Sequence, residues 1–446
     1  MESNVMTEGR NRDGTVSEHW PVKSSTAWYV AGCLIVALAI GFFDRMIIAL
    51  LIEPLTQSIQ LNNQQSGLLL GAAFAVPYAL AVFPIASWID RGNRVFAVAM
   101  GIGLAGVATV LSGFISNFWE LLLARSLLAV AEAALTPASM SLIGDLFAPN
   151  KRAFPTAIYG ATPGITGALA FLLGGSILAM SASLVPDAQF EHWRVTFVAV
   201  GVPAVLLALV MFLTVKEPVR QHSAAQLDGQ VGLFALLKFL GRHWLFFLCL
   251  YAGIALVTMC TLGLQSWLPT LLVRDHGRSV AEAGFLVGAT ALPASVLAIL
   301  VWPKVLAVFA KRGWSNGSFI AFALAALVAT AASVSSFSQQ NISLVLSGFF
   351  VAQLNFASVS MLPLFIIQIF GPPDFRARLV ALYVIAAILF GQALGPQLVV
   401  LFAPQAVAGS LSTGVVRMIL LCGSTAFGVL VLGAWAARTM PLADKP

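Results

Sequence analysis

The chain has 446 residues, of which 59% are hydrophobic and only 9% are charged. Soluble domains carry about 25% charged residues, so this composition excludes a water-soluble protein, and the mean hydropathy of +0.92 is typical of a membrane protein. The net charge of +6 would suit an acidic partner. However, the basic residues lie in short clusters between apolar runs rather than in one patch, and we therefore expect no nucleic-acid partner.

Twelve apolar segments are long enough to cross a bilayer as helices, which takes about 20 residues each. In chain order, the predicted spans cover residues 27–52, 66–89, 95–116, 118–146, 153–182, 194–215, 244–272, 280–309, 317–336, 341–370, 377–403 and 412–437. The pattern predicts an all-α membrane protein with twelve transmembrane helices in two six-helix halves.

Polar segments divide the chain around these spans. We predict a polar tail over 1–22, an N-terminal half over 23–215, a linker over 216–243, a C-terminal half over 244–437 and a second tail over 438–446. Within the linker, residues 231–240 form either a short amphipathic helix on the membrane surface or a plain connection.

The loop charges predict the orientation of the protein in its membrane. Of the 24 lysines and arginines, eighteen lie on the side that carries both termini, and Arg45 and Arg125 lie inside spans. The opposite side holds only four basic residues, namely Arg194, Arg274, Arg278 and Arg417. The excess predicts a multi-pass protein of a bacterial inner (plasma) membrane with both termini in the cytoplasm.

The two halves repeat a local pattern. Phe147-Ala-Pro149 followed by Arg152 recurs as Phe370-Gly-Pro372 followed by Arg376, so that the two arginines are 224 positions apart. Parallel repeats of this size are typical of transporters that bind substrate between the halves near the midplane of the bilayer. The glycines of the fifth span allow close helix packing, either as fixed structure or as a sliding contact between the halves.

Four charged residues lie deep within predicted spans: Asp44 and Arg45 in the first, Arg125 and Glu132 in the fourth. Each buried charge costs at least about 2.5–3.5 kcal/mol, so such residues face the bundle interior and pair with one another. Either an acid titrates during transport while the arginines tune it or bind an anionic substrate, or the four form a static network that specifies packing. Asp44 is the favoured proton-coupling residue because Arg45 adjoins it, and Glu132 is the second candidate.

Further polar residues predict a gate and a cavity wall. Charge pairs at the cytoplasmic ends of the second and fourth spans could latch that side shut in one state, or serve only to set topology: Asp90, Arg91, Arg94, Asp145 and Arg152. The second half offers uncharged polar side chains that either face the substrate or join helices by hydrogen bonds. Thr261, Gln265, Asn355 and Gln392 are the candidate substrate contacts.

Several motifs resemble the spinster-like members of the major facilitator superfamily. The first two spans carry Phe43-Asp44-Arg45, the run from Gln65 to Phe74, and Asp90-Arg91-Gly-Asn-Arg94; the fourth carries Ala124-Arg125, Glu132-Ala133, Pro137 and the run from Ser141 to Phe147. The sequence departs from the superfamily's loop motif at Ala86, where a glycine is expected, and at Ala307, where the second-half repeat would carry an acid. The resemblance covers nearly all of the first half and is weaker in the second.

The resemblance implies alternating access by rocking of the two halves. It also implies that Asp44 and Glu132 are candidates for proton coupling, with Arg45 and Arg125 as their charge partners. Eukaryotic relatives are associated with the export of sphingosine-1-phosphate and lysophospholipids.

The leading hypothesis is a secondary active transporter, proton-coupled, that moves an amphipathic or anionic small molecule of lysolipid or sphingolipid type. One alternative is a small organic-anion:proton symporter, and another, of a different class, is a non-transporting membrane sensor or lipid-binding protein. No Ser/His/Asp set, metal constellation or GxxxxGK[ST] loop is recognisable in the sequence, so we predict no enzyme activity, no catalytic residue, no metal and no cofactor. The expected partners are the bilayer, the substrate and protons, and the expected state is a monomer.

Overall fold

The computed structural model describes residues 22–440 apart from 185–190, 221–232, 313, 315, 373–374 and 404–409. In that part of the chain, twelve helices are long and apolar enough to cross a membrane. They are α1 Ser24–Ser58, α2 Asn63–Ile89, α3 Arg94–Ser112, α4 Phe118–Leu146, α5 Ala153–Ser183, α6 His192–Thr214, α7 Trp244–Arg274, α8 Val280–Phe309, α9 Gly317–Ser336, α10 Ile342–Phe370, α11 Arg378–Phe402 and α12 Ser410–Ala436. The predicted all-α, twelve-span fold is confirmed, and the protein is a multi-pass membrane protein.

The helix ends agree with the predicted spans to within three residues except at the end of α3, which stops at Ser112 rather than 116, and at the end of α1. That helix continues to Ser58 rather than stopping near 52, because polar residues extend it beyond the apolar run. Gln57 donates a hydrogen bond to Glu53 one turn earlier, at 3.3 Å. The predicted tails over 1–22 and 438–446 lie largely outside the described residues, as does the middle of the predicted linker.

An amphipathic helix, Leu233–Arg242, precedes α7. It overlaps the predicted segment 231–240, whose first two residues lie outside the described part. Leu236 is buried, whereas Phe234 and Leu237 are 81% and 56% exposed. Of the two alternatives for this segment, the structure therefore shows the helix.

Successive spans run in opposite directions, so α1 begins and α12 ends at one face of the bundle. We call this the termini face, where α1 begins, and the other the opposite face, where α1 ends. Glycines allow close packing within each half, as between α3 and α6: a Cβ on Gly106 would lie 2.9 Å from the carbonyl oxygen of Gly201.

The two halves meet through close helix contacts toward the opposite face. Between α5 and α8, a Cβ on Gly175 would lie 2.6 Å from the carbonyl oxygen of Ala281. Between α2 and α11, a Cβ on Gly71 would lie 2.8 Å from the carbonyl oxygen of Gln392. Since none of these positions has room for a larger side chain, the packing here is backbone against backbone.

Four helices lose regular α-helical geometry partway along their length. α2 is interrupted at Gly71, and α4 turns at 133–134, directly after Glu132. α10 contains the 3₁₀ segment Ala357–Ser360, and α11 contains the π-helical segment Ala386–Gln392. Such irregular turns are frequent at functional sites, and those of α4, α10 and α11 border the cavity described below.

Candidate functional site

The four charged residues inside the spans form two ion pairs between α1 and α4. Arg45 Nη2 lies 2.5 Å from Glu132 Oε2, and Arg125 Nη1 lies 3.3 Å from Asp44 Oδ2. Arg125 also donates to the backbone carbonyl of Asp44 at 3.2 Å. The pairing is therefore crosswise between the helices rather than between neighbours in sequence.

Helix geometry explains this crosswise pairing. Asp44 and Arg45 are consecutive, so their side chains leave α1 about 100° apart, while Arg125 and Glu132 lie two turns, about 10 Å, apart on α4. Each helix contributes one acid and one base, and the two ion pairs between the helices therefore form at two different heights along the helix axes. Asp44, Arg125 and Glu132 are only 3%, 1% and 3% exposed, and mutual pairing lowers the free energy of burying them.

A glycine on α1 makes room for the Glu132 carboxylate. A Cβ on Gly41 would lie 2.9 Å from Glu132 Oε1 and 3.2 Å from its Cδ. The carboxylate thus rests against bare backbone of α1. Its Oε1 has no hydrogen-bond partner and is buried, so one oxygen of this acid holds Arg45 while the other is unsatisfied.

Aromatic rings surround the Arg45 guanidinium. Its Cζ lies 4.4 Å from the centre of the Phe42 ring and 3.9 Å from that of Phe74. Tyr78 is more distant, at 5.8 Å. A desolvated cation–π contact contributes about 2 kcal/mol, so Arg45 is held in place by rings as well as by Glu132. The sequence analysis did not assign these rings a role.

A cavity of about 490 Å³ lies between the two halves. Arg45 and Glu132 line its first-half wall, together with Tyr78 and Thr136. Asp44 and Arg125 are not part of the lining; they lie behind it. The structure therefore separates the four charges into a cavity pair, Arg45–Glu132, and a buried pair, Asp44–Arg125.

Uncharged polar side chains form the second-half wall. Of the predicted contacts, Thr261, Gln265 and Gln392 line the cavity. Gln265 donates to Gln353 at 2.8 Å, and Gln353 donates to Ser295 at 3.3 Å. The wall also includes residues that the sequence analysis did not select for the site: Thr258, Ser295, Gln353 and Tyr383.

Asn355 is the predicted contact that the structure places elsewhere. It is absent from the lining, and its amide donates to the carbonyl of Val351, one turn earlier in α10, at 2.8 Å. Gln353 faces the cavity instead, because residues two positions apart leave a helix in directions about 160° apart. Asn355 therefore lies on a different face of α10 from Gln353.

Arg94 is the centre of a charge cluster at the termini face. It is 1% exposed and bonds to the Asp145 carboxylate, while its Nε lies 2.6 Å from Glu217 Oε1. Glu217 also accepts from the backbone N–H of Val95 at 2.9 Å. This cluster joins the ends of α3 and α4, in the first half, to the start of the predicted linker after α6.

The other predicted gate residues lie around that cluster. Asp90 and Arg91 are exposed, and Arg220 donates to the backbone carbonyls of Ile89, Asp90 and Gly92 at the end of α2. Arg152 donates to the carbonyl of Phe147 at 2.7 Å. These bonds tie neighbouring segments of one half together, and a latch between the halves at this face stays a prediction. The sequence analysis missed Glu217 and Arg220 here, although Lys216-Glu217-Pro218 is visible as a motif.

An ion pair joins the two halves at the opposite face. Arg274 Nε at the end of α7 lies 2.7 Å from Glu53 Oε2 near the end of α1. Arg274 also donates to Asn63 Oδ1 at 2.9 Å. Nothing in the sequence indicates this pair, because charged residues at the ends of membrane spans are common.

The described residues contain no group of three or more His, Cys, Asp or Glu side chains that could hold a metal ion. The four cysteines, Cys33, Cys249, Cys260 and Cys422, are buried free thiols.

Comparison with known proteins identifies the family to which this architecture belongs. The Major Facilitator Superfamily model matches residues 33–396. An MFS-type efflux pump of Mycolicibacterium smegmatis is 30% identical over 291 residues, which is 64% of this chain and 64% of that protein. Protein spinster homolog 1 of Homo sapiens is 30% identical over 246 residues, which is 53% of this chain and 44% of that protein. The chain thus aligns with less than two thirds of either relative.

Solved structures extend the similarity to most of the chain. A bacterial homolog of the human lysosomal transporter Spinster, in an inward-facing and unoccupied conformation, superposes with a TM-score of 0.79 at 25% identity. The match covers 94% of this chain and 98% of that one. A D-xylose-proton symporter shares the fold alone, with a TM-score of 0.70 at 14% identity. The superfamily match spans most of the chain, and spinster proteins recur among its relatives in sequence and structure. The chain therefore belongs to the Major Facilitator Superfamily of membrane transporters, in its spinster-like branch.

Proposed function

We propose that this transporter moves an amphipathic anion across the membrane together with a proton, and that the Arg45–Glu132 pair couples the two. The observation that supports this most directly is the position of the pair. Both residues line the cavity between the halves, and the buried Oε1 of Glu132 lacks a partner. A carboxylate in this setting is a natural proton acceptor, since protonation removes a buried charge.

Proton binding and anion binding assist each other in this arrangement. A proton on Glu132 ends its ion pair with Arg45, 2.5 Å away, and leaves the guanidinium free for a carboxylate or phosphate of the substrate. Arginine binds both groups with two parallel hydrogen bonds. With a substrate head of charge −1, the loaded site then carries the same net charge as the empty one, so the cavity can close around it without burying an extra charge.

The buried pair has a different role in this proposal. Although sequence adjacency to Arg45 favours Asp44 as the coupling acid, Asp44 pairs with Arg125 behind the cavity wall. A substrate in the cavity meets Glu132 before it meets Asp44. We therefore assign coupling to Glu132, and to Asp44–Arg125 the task of fixing α1 against α4.

Alternating access between the two sides of the membrane explains why the contacts between the halves described above lie toward the opposite face. The halves are joined at the opposite face by Glu53–Arg274 and by the glycine contacts of α2 with α11 and α5 with α8. The loop charges assign the termini face to the cytoplasm, here of a bacterial inner membrane. The structure would then be the inward-facing state, the state in which the bacterial Spinster homolog was solved.

A second candidate is proton-driven efflux, favoured by the relative named as an efflux pump. In that mechanism a cationic or zwitterionic substrate displaces the proton from Glu132. The two mechanisms predict opposite proton exchange with the solution when substrate binds. If the substrate is an anion that binds Arg45, Glu132 takes up a proton; if the substrate competes with the proton, Glu132 releases one.

The test is to mix purified protein with alkyl phosphates in weakly buffered solution and to follow the pH. Proton uptake that disappears in Glu132→Gln and persists in Glu120→Gln, a control on the same helix, is the expected result. Proton release would favour the efflux mechanism. Binding without any proton change, and no gradient-driven accumulation in proteoliposomes, would leave the lipid-binding or sensor hypothesis and overturn coupling.

A further inference from the structure

The amphipathic helix Leu233–Arg242, which we call the linker helix, is not a straight extension of α7. Between the two helices, His243 leaves helical geometry, with φ −117° and ψ 33°. Phe239 and Phe247 are eight positions apart, which is about 12 Å of rise in a straight helix, yet their ring centres are only 5.5 Å apart. The chain therefore bends at His243. Because α7 crosses the membrane, a helix that bends away from its first residue lies along the termini face.

One side of the linker helix packs onto the second half. Leu236 is buried, and Phe239 and Leu240 pack against the same core with part of their surface exposed. The Phe239 ring is also 5.4 Å from the ring of Phe375, just ahead of α11. Phe239 thus contacts both Phe247 of α7 and the segment that leads into α11. Whatever holds the linker helix in place therefore also holds the starts of these two spans together.

The rest of the linker helix has an apolar face and a basic face. Phe234 and Leu237 are exposed, and Lys238 and Arg242 are exposed as well. At about 100° per residue, the members of each pair lie within about 60° of each other around the helix axis, and the two faces are centred roughly 90° apart. An apolar face beside lysine and arginine is typical of helices that lie in the membrane interface.

The apolar face continues the lipid-facing surface of α7. Trp244 and Leu248, in the first turns of α7, are 60% and 56% exposed. On a membrane-spanning helix such apolar side chains face lipid, and tryptophan favours the level of the headgroups. The linker helix joins α7 at that level. Its apolar face can therefore reach acyl chains while its basic face meets the headgroups.

We propose that the linker helix binds anionic phospholipids of the leaflet at the termini face, and that this contact stabilises the starts of α7 and α11 through Phe239. Lys238 and Arg242 attract the negatively charged headgroup, while Phe234 and Leu237 enter the acyl region. Each basic side chain near an anionic surface contributes about fivefold in binding, so the two together favour an anionic over a neutral lipid by up to about thirtyfold. This inference is independent of what the transporter carries and of how transport is coupled.

Gly241 provides a reporter position on the apolar face. Around the helix axis it lies between Phe234 and Leu237, and a Cβ there would have no atom within 4 Å. The four native cysteines are buried, so a bimane fluorophore can be attached selectively to Gly241→Cys in the full-length chain. The labelled protein is placed in phosphatidylcholine vesicles that contain doxyl-labelled phosphatidylglycerol or doxyl-labelled phosphatidylcholine. Acrylamide serves as the quencher from the aqueous side.

We expect both doxyl lipids to quench the fluorophore, acrylamide to quench it weakly, and phosphatidylglycerol to reach half-quenching at a several-fold lower content than phosphatidylcholine. Lys238→Glu/Arg242→Glu should abolish this preference. The matched control is Lys311→Glu/Arg312→Glu, the same charge change at an exposed pair at the end of α8 on the same face, and it should keep the preference.

Three results would overturn the lipid contact. Strong quenching by acrylamide would place the apolar face in water. Equal quenching by the two doxyl lipids before the charges are changed would remove the preference for anionic lipid. Protection from acrylamide without quenching by either lipid would mean that protein covers this face, either another part of the chain or a second copy.

The role of Phe239 is tested by thermal unfolding in phosphatidylcholine nanodiscs with and without phosphatidylglycerol. We expect phosphatidylglycerol to raise the Tm of the wild type by several degrees and to have little effect on the Tm of Phe239→Ala. Phe402→Ala, at a partly exposed phenylalanine at the far end of α11, is the control and should keep the lipid-dependent rise. An equal rise in both variants, or no rise in the wild type, would overturn the stabilisation through Phe239.

Discussion

The Glu132 carboxylate rests against the backbone of Gly41, where a Cβ would lie 2.9 Å from Oε1. α1 and α4 therefore meet at a point where only glycine leaves space for the acid that holds Arg45. The distance is shorter than ordinary van der Waals contact, so any larger residue at 41 must displace the carboxylate or separate the helices.

Gly41→Ala should consequently impair coupling more than folding. We expect the displaced carboxylate to lose its 2.5 Å contact with Arg45, and transport to fall about tenfold with a changed pH dependence. Initial uptake rates in proteoliposomes over a range of pH measure this. Gly32→Ala, on the same helix with nothing within 4 Å, is the control, and identical pH profiles for the two variants would contradict the assigned role of Gly41.

Asp44→Asn should destabilise the protein more than Glu132→Gln does. The first change leaves Arg125, 1% exposed, as a buried cation without its carboxylate, which costs about 3–5 kcal/mol. In the second, Arg45 keeps its aromatic neighbours and 12% exposure of its side chain. Thermal unfolding in detergent compares the two. The double variant Asp44→Asn/Arg125→Gln should recover much of the loss, and a double variant no more stable than Asp44→Asn would argue against the pair as the cause.

Arg94 and Arg91 offer a matched comparison at the termini face. Arg94→Ala would leave Asp145 and Glu217 close together without their shared cation, and we expect a loss of about 3–5 kcal/mol in the free energy of unfolding. Arg91 is exposed, so Arg91→Ala should change stability by less than about 0.5 kcal/mol. Unfolding curves of the two variants, recorded side by side, decide this. Similar losses for both would show that the cluster around Arg94 is not what stabilises this end.

The Glu53–Arg274 pair should bias the conformational equilibrium. Because both side chains retain some exposure, 12% and 26%, the pair contributes no more than about 1 kcal/mol, and Arg274→Gln should raise the population open at the opposite face by up to about fivefold. Spin labels at the ends of α1 and α7 report that opening as a longer distance. The exchange Glu53→Arg/Arg274→Glu should restore the wild-type distribution, and an unchanged distribution in Arg274→Gln would remove the pair from gating.

Hydropathy and charge, read along the chain, predict the twelve spans and single out the charged residues that a membrane helix must accommodate. Transfer into a bilayer depends on local apolar content, so hydropathy alone fixed spans such as 118–146 and 280–309, which the structure reproduces. The same local argument singled out Asp44, Arg45, Arg125 and Glu132, because a charge in an apolar segment is costly wherever its partner lies.

How those charges pair, and which of them face the cavity, follows from the packing of the helices and cannot be read from the chain. Pairing depends on the rotation of α1 about its axis relative to α4, which no local property encodes, and this places Glu132 rather than Asp44 at the cavity wall. The same limit explains why Asn355 was chosen and Gln353 was not: both are polar residues of α10, separated only by the face each occupies. Glu53 and Arg274 lie 221 positions apart, and they became partners only because the two halves close together at the opposite face.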